Sequence, residues 1–171
     1  METSEQNKLQ LSEEALQTED FDAESFQEEE EINVVQLVGF SLDDVEYGVA
    51  ILDVFEILKT YKMSRLPNSP EYIKGVINLR GEVVPVIDIR TRFGLNQVKA
   101  TELSRIIVVN NNGKKIGLFV DNVRKVIRVP EANVSPPSEL MTGISGEFIF
   151  GIGRLSERLI IIIKMDNIIE L

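Results

Sequence analysis

With no Cys, no His and no Trp in the chain, the side chains left to do chemistry are carboxylates, Lys, Arg, Ser, Thr and Tyr. Thiolate nucleophiles, imidazole bases and Cys/His metal sites are excluded at once. The tightest grouping of carboxylates in the strand-rich body is Asp43, Asp44 and Glu46, with Asp88 farther along. Two carboxylates hydrolyse a bond when they face each other across a pocket, one as acid and the other as base or nucleophile. Adjacent acids at a turn point into water instead, so a carboxylate-based hydrolase is the minor alternative. The glycines of Gly143-Ile144-Ser145-Gly146 and Gly151-Ile152-Gly153 lack both the Lys-Ser/Thr of a phosphate loop and the full dinucleotide spacing, and read as turn and bulge positions. No cofactor and no metal is expected.

The other group with a use is Arg80. Val76–Leu79 and Val83–Ile89 are apolar strand stretches joined by Arg80-Gly81, so the Arg stands at the tip of a rigid hairpin and presents a planar fork of donors outward. That fork suits a carboxylate, on a neighbouring element or on a partner. Pro85 has no N–H, which predicts an edge strand or a bulge, and exposed edge backbone is a route to pairing with another protein.

Around these residues the body reads as strands: Val34–Leu42, Val45–Ala50, Gly75–Leu79, Glu82–Ile89, Arg105–Asn110, Lys115–Val120, Val123–Val129, Glu147–Gly153 and Arg158–Lys164. Turn signals stand between them at Asp43-Asp44, Arg80-Gly81, Asn112-Gly113 and Ser156-Glu157; Asn-Gly is the strongest and predicts a hairpin over Arg105–Val120. Helical candidates are short: Leu52–Leu58, a turn near Ser69–Lys74, Ile89–Phe93 and Asp166–Leu171. So many short strands with so little helix predict an all-β sandwich or barrel fold. Four successive isoleucines, Ile160 to Ile163, cannot alternate between core and water, so that strand is covered on both faces, as where two barrels share a wall.

The formal charge of −10 divides unevenly. Residues 1–31 hold 12 acids and one base, a net of −11, whereas 32–171 hold 16 acids and 17 bases. The first segment has too few large apolar residues to offset ordering entropy and is expected to be disordered, which gives a domain organisation of an acidic tail, 1–31, and a folded body, 32–171. An acidic chain is a poor ligand for nucleic acid. No secretory signal pattern and no apolar run of about 20 residues is evident, so the expected address is cytoplasmic, without membrane insertion.

Residues 72–93, YIKGVINLRGEVVPVIDIRTRF, resemble the signature of the CheW family, the adaptors that couple chemoreceptors to the histidine kinase CheA in bacterial chemotaxis. Asp44–Ile51 followed by Val54–Ile57, then Ile116–Val123 and Gly151–Leu155, fit the same family, and the resemblance runs from about Val34 to Leu171. It implies two small five-stranded barrels of the Src-homology-3 type, packed with a groove between them and intertwined in sequence. It also implies a non-catalytic protein that contacts the receptor's cytoplasmic tip and the CheA regulatory domain, held at receptor arrays through those partners. An adaptor for a CheA-like kinase in a non-motility pathway is the nearest alternative.

Carried over by motif position, the receptor surface comprises Val38, Ile51, Val54, Glu56, Ile57 and Arg80. Ile51, Val54 and Ile57 stand three apart, a spacing that predicts a helical stripe, and Glu56 is placed to pair with Arg80. The kinase surface falls on the Pro-rich segment Val134–Met141, at Ser135, Leu140 and Met141; where the family often carries a basic and an aromatic residue, this chain has Ser135 and Leu140.

Overall fold

The computed structural model describes residues 32–59, 61–138 and 142–169. The acidic segment 1–31, expected to be disordered, lies outside the described residues, as do Leu140 and Met141 of the expected kinase contact and the last two positions of the C-terminal helix candidate.

Eleven strands are described: β1 Val34–Leu42, β2 Val45–Ala50, β3 Val54–Leu58, β4 Ile73–Leu79, β5 Glu82–Asp88, β6 Arg105–Asn111, β7 Lys114–Val120, β8 Asn122–Pro130, β9 Val134–Ser135, β10 Ile149–Leu155 and β11 Arg158–Ile163. The four tight turns fall at the turn residues, with positive φ at Asp43, Arg80, Asn112 and Ser156. The helix Ile89–Arg92 starts where Asp88 caps it, its Oδ1 accepting the Arg90 N–H at 3.0 Å, and a second four-residue helix spans Met165–Ile168.

Three local expectations are corrected. Leu52–Leu58 is not a helix: a 3-10 turn, Ile51–Asp53, leads into β3. Val54, Phe55 and Ile57 are residue types that fit a pleated surface, and β6 supplies the pairing that no local pattern reveals, with Val54 opposite Val109 and Ile57 opposite Ile107. Glu147 and Phe148 belong to a 3-10 turn, Gly146–Phe148, that precedes β10. Pro85 is not on an edge strand, because β5 lies between β4 and β7. Its missing N–H costs no ladder bond to β4: Val76, opposite Pro85, turns its own N–H and C=O away to Ser64, and the parallel ladder to β7 starts one residue later, at Val86.

The strands form two sheets, ordered β8-β1-β2-β11-β10-β9 and β3-β6-β7-β5-β4, all antiparallel except β2–β11 and β5–β7. The first sheet gains its sixth strand from the two-residue β9. The fold is all-β: two small Src-homology-3-like barrels, the first built from both ends of the described body and the second from its middle. Barrel 1 encloses Leu37, Ile127, Val129, Ile160 and Ile162; barrel 2 encloses Ile77, Leu79, Val84, Val86, Ile106, Val108 and Phe119. A third and larger cluster, including Phe40, Tyr47, Val49, Ile87, Ile107, Leu118, Ile161 and Ile163, fills the seam between them. The run of isoleucines is thereby explained, since Ile160 and Ile162 point into barrel 1 while Ile161 and Ile163 point into the seam.

The two barrels repeat one another. Reading β8, β1, β2, β11 and β10 against β3, β6, β7, β5 and β4 superposes their sheet orders, their parallel pairs and their bulges. A register shift separates Ile73 from Gly75 in β4, and another separates Ile149 from Gly151 in β10. At both places a neighbouring carbonyl lies against the glycine: a Cβ on Gly75 would meet the Ser64 O at 2.7 Å, and one on Gly151 the Ser135 O at 2.8 Å. Backbone cannot yield as a side chain does, so Gly151→Ala is expected to cost about 1–3 kcal/mol, read as a lower urea midpoint at unchanged m-value. The repeat also inverts one ion pair. At the mouth of barrel 1 Glu46 pairs with Arg158 at 2.9 Å, and at the equivalent strand positions of barrel 2 Lys115 pairs with Glu82 at 2.9 Å.

Candidate functional site

The seam opens to solvent along a rim built from both barrels. Side chains directly opposite in an antiparallel pair share a face. Val38 stands opposite Val49, which is in the seam cluster, and on its other side opposite Val126 of β8. Val38 is therefore buried at the floor of the rim and Val126, 52 % exposed, forms its wall on barrel 1. On barrel 2 Ile57 stands opposite Ile107 of the same cluster and is 42 % exposed, while Val54 packs against the cluster's edge. Ile57 and Val126 occupy equivalent positions of the repeat, so each barrel presents an exposed apolar residue on its seam side. Ile51 is half-buried in the turn before β3, and Leu52 beside it is 95 % exposed. The helical stripe through Ile51, Val54 and Ile57 does not exist; a strand and the seam bring Val38, Val54 and Ile57 to one face instead.

Glu56 projects to the other face of β3. It stands opposite Val108 of the barrel 2 core and reaches the mouth of that barrel, where its Oε2 accepts from the Arg80 guanidinium at 3.3 Å. The Arg80 side chain is 71 % exposed and that of Glu56 is 23 % exposed, and the buried Glu56 Oε1 has no partner among the described residues. Arg80 holds φ +50 and Gly81 φ +85, with the Gly81 N–H donating to Asn78 Oδ1 at 2.9 Å. The hairpin at Asn110–Gly113 makes the same bond, Gly113 N–H to Asn110 Oδ1 at 3.1 Å, but places Asn112 at the first positive φ. Asn tolerates that conformation and Arg does so at a cost, so turn chemistry alone does not account for Arg80.

Of the acids weighed for hydrolysis, Asp43, Glu46 and Asp88 hold the fold. Asp88 caps a helix, Glu46 pairs with Arg158, and Asp43 joins Asp121 around Arg90. Arg90 is 5 % exposed. Its Nε donates to Asp121 Oδ1 at 2.8 Å, its NH2 to Asp121 Oδ2 and to Asp43 Oδ1, and its NH1 to the Asn96 carbonyl at 3.2 Å. The Asp43 N–H donates to Asp121 Oδ2 at 3.0 Å. The hydrogen bonds that Arg90 donates to Asp121 and Asp43 raise its own pKa, and those to Asp121 hold that carboxyl below the usual carboxylate range. A carboxyl depressed in the folded state adds stability that is present above its unfolded pKa, about 3.9, and is lost as pH falls through the lower folded value. Asp121→Asn is expected to lower the melting temperature at pH 7 and to make its further decline below about pH 4 shallower than in the parent, by circular-dichroism melts across that range.

Ser135 is exposed on β9, its hydroxyl donating to the Ile152 carbonyl at 3.3 Å. Among the described residues no three acidic side chains could hold a metal ion, and no helix is long and apolar enough to cross a membrane. The motif reading missed Leu52 and Val126. The signal for Val126 was present in Arg124-Lys125-Val126-Ile127-Arg128, where an apolar residue shares the polar phase of the strand.

The family model for the CheW-like domain matches residues 36–171. The chain is 36 % identical over 148 residues to a "Chemotaxis protein CheW" of Helicobacter pylori, covering 86 % of this chain and 88 % of that one. It is 35 % identical over 131 residues to the protein of the same name from Klebsiella aerogenes, covering 77 % and 79 %. Among solved structures, the scaffolding protein TtCheW of Thermoanaerobacter tengcongensis aligns with TM-score 0.76 and 40 % identity over 81 % of this chain and 94 % of that one. Two repeated barrels, a seam that opens into an apolar rim, and this agreement over nearly the whole described body place the chain in the CheW-like family.

Proposed function

We propose that this protein is a chemotaxis adaptor that couples chemoreceptors to the histidine kinase CheA and passes the receptor's state to the kinase by binding alone. The observation that carries the reading is the rim of the seam, where Val38, Val54, Ile57 and the exposed Leu52 make an apolar surface, with the strained, outward-facing Arg80 at the mouth of barrel 2 on the other face of β3. Such a surface suits an amphipathic helix, whose anchors supply most of the affinity. On this reading the receptor tip contacts Val38, Ile51, Val54, Glu56, Ile57 and Arg80, and the CheA regulatory domain docks through Ser135, Leu140 and Met141. Residues 32–171 are the adaptor body and 1–31 precede it. The protein works in the cytoplasm, at receptor arrays reached through its partners.

Chemical-shift perturbation of the full chain, first with a receptor-tip hairpin and then with the CheA regulatory domain, tests the reading. Two separate perturbed faces are expected, one on the seam rim and one on barrel 1 near β9; absence of binding to both rejects it. Leu52→Asp is expected to leave thermal stability unchanged, since the side chain packs on nothing, and to weaken receptor-tip binding about tenfold by isothermal titration calorimetry.

A further inference from the structure

The internal repeat exposes an incomplete site. At the mouth of barrel 2 two ion pairs stand side by side, Lys115–Glu82 and Arg80–Glu56. Their counterparts in barrel 1 follow from the register: Glu46 for Lys115, Arg158 for Glu82, Lys125 for Glu56 and Ser156 for Arg80. The first pair is present with its polarity reversed, Arg158–Glu46 at 2.9 Å. The second is half made. Lys125 takes the place of the carboxylate, while the tip residue opposite is Ser156, which has no charge to offer, and among the described residues Lys125 has no ion-pair partner.

Around Lys125 the mouth is open. A cleft of about 760 Å³ runs between β8 and the β10–β11 hairpin, lined by Arg124, Lys125, Val126, Arg128, Leu155 and Arg158. Arg124 and Arg128 are exposed and likewise without an acidic partner among the described residues. β8 ends its sheet, pairing with β1 alone, so its outer backbone edge faces the same cleft. An unpaired strand edge recruits extended chain, and flanking cations select the charge of what it recruits.

We propose that the mouth of barrel 1 is a further docking site, adjoining the seam rim at Val126, and that it takes an extended acidic segment of a protein partner. The segment adds to the free edge of β8, a carboxylate of the segment supplies the charge that Ser156 lacks and pairs with Lys125, and Arg124 and Arg128 draw it in. Barrel 2 satisfies the same position internally with Arg80 and Glu56, which leaves barrel 1 as the receiving end.

The test uses the full chain, isotopically labelled, titrated with a short peptide alternating Glu and Val and, as control, one alternating Lys and Val. The expected result is saturable shifts confined to Val123–Arg128 and Leu155–Arg158 with the acidic peptide alone, weakened at least about tenfold by Lys125→Glu and by raising salt from about 0.05 to 0.5 M. Arg128→Glu, at an exposed position, gives the same direction and guards against a folding defect in the first variant. Equal shifts with both peptides, shifts elsewhere, or indifference to Lys125→Glu overturn the proposal. A full chain with Glu28, Glu29, Glu30 and Glu31 changed to Gln that binds the acidic peptide about tenfold more tightly also overturns it, because the occupant is then the chain's own acidic segment and not a partner. Lys125 alternates with the rim residue Val126 along β8, so Lys125→Glu leaves receptor-tip binding at the seam unchanged and the two readings fail separately.

Discussion

Arg80→Asn is expected to leave the protein folded and, on the proposed adaptor reading, to weaken binding of the receptor tip by at least about thirtyfold. The fold side of that expectation comes from the turn. Arg80 sits at φ +50 in the β4–β5 hairpin, where the β6–β7 hairpin of the same barrel carries Asn112 at φ +52, and replacing Arg with the residue that tolerates the left-handed region relieves strain of order 1 kcal/mol. Against this stands the loss of the ion pair to Glu56, which is mostly solvated at the Arg end, 71 % exposed, and is worth about 0–1 kcal/mol. The two nearly cancel, so the melting temperature shifts by only a few degrees. The binding side comes from what the strain is for: an Arg fork held outward at the end of a rigid hairpin is the residue type that dominates interfaces, and its removal is expected to cost at least about 2 kcal/mol, or roughly thirtyfold in affinity. Glu56→Gln in the same background separates positioning from contact. If Glu56 only aims the fork, Glu56→Gln weakens binding when Arg80 is present and does nothing once it is gone. An Arg80→Asn protein that unfolds, or one that binds the receptor tip normally, removes Arg80 from the site.

Arg90→Met is expected to lower stability by about 2–3 kcal/mol, the cost of leaving the half-buried Asp121 carboxylate without its counter-ion. Arg90 follows β5 of barrel 2, Asp43 forms the β1–β2 turn of barrel 1, and Asp121 lies where the chain passes from β7 back to β8. Their hydrogen bonds therefore tie the two barrels together at a single point. The arms are unequal. The Asp121 side chain is 22 % exposed and that of Asp43 is 68 % exposed, so Asp43→Asn should cost no more than about 1 kcal/mol while Asp121→Asn costs most of the Arg90 effect. Arg90→Lys should not rescue, because an ammonium cannot donate to Asp121, Asp43 and the Asn96 carbonyl from one plane. Urea unfolding of the variants checks all of this, and an Arg90→Met loss under about 1 kcal/mol would show the cluster to behave as a solvated surface pair.

Much of the fold was legible because its determinants are local. Asn112-Gly113 and Arg80-Gly81 announce hairpins through the φ values they accept, Asp88 announces a helix start, and a run from Ile160 to Ile163 announces a strand with no wet face. The errors share one cause. Val54 to Leu58 reads as helix or strand from its own residues, and only β6 decides; Pro85 reads as an edge residue, and only the register against Ser64 and β7 lets it sit inside a sheet. The site divides in the same way. The motif around Arg80 and the pairing with Glu56 could be read from the chain, whereas Leu52 and Val126 become functional candidates only through their exposure.

By itself the amino-acid sequence determined the fold class, the family, the turns, the exclusion of thiol and imidazole chemistry, and the separation of an acidic segment from a near-neutral body, because each depends on residue type and short spacing. The tertiary structure alone decided which faces meet. Side chains far apart in the chain, such as Glu46 and Arg158 or Arg90 and Asp43, come together through strand register and parallel pairing, which are properties of two segments at once. The same register set Lys125 in the place of Glu56 with no ion-pair partner among the described residues, and so left the mouth of barrel 1 with an unmatched positive charge where the two pairs at the mouth of barrel 2 balance.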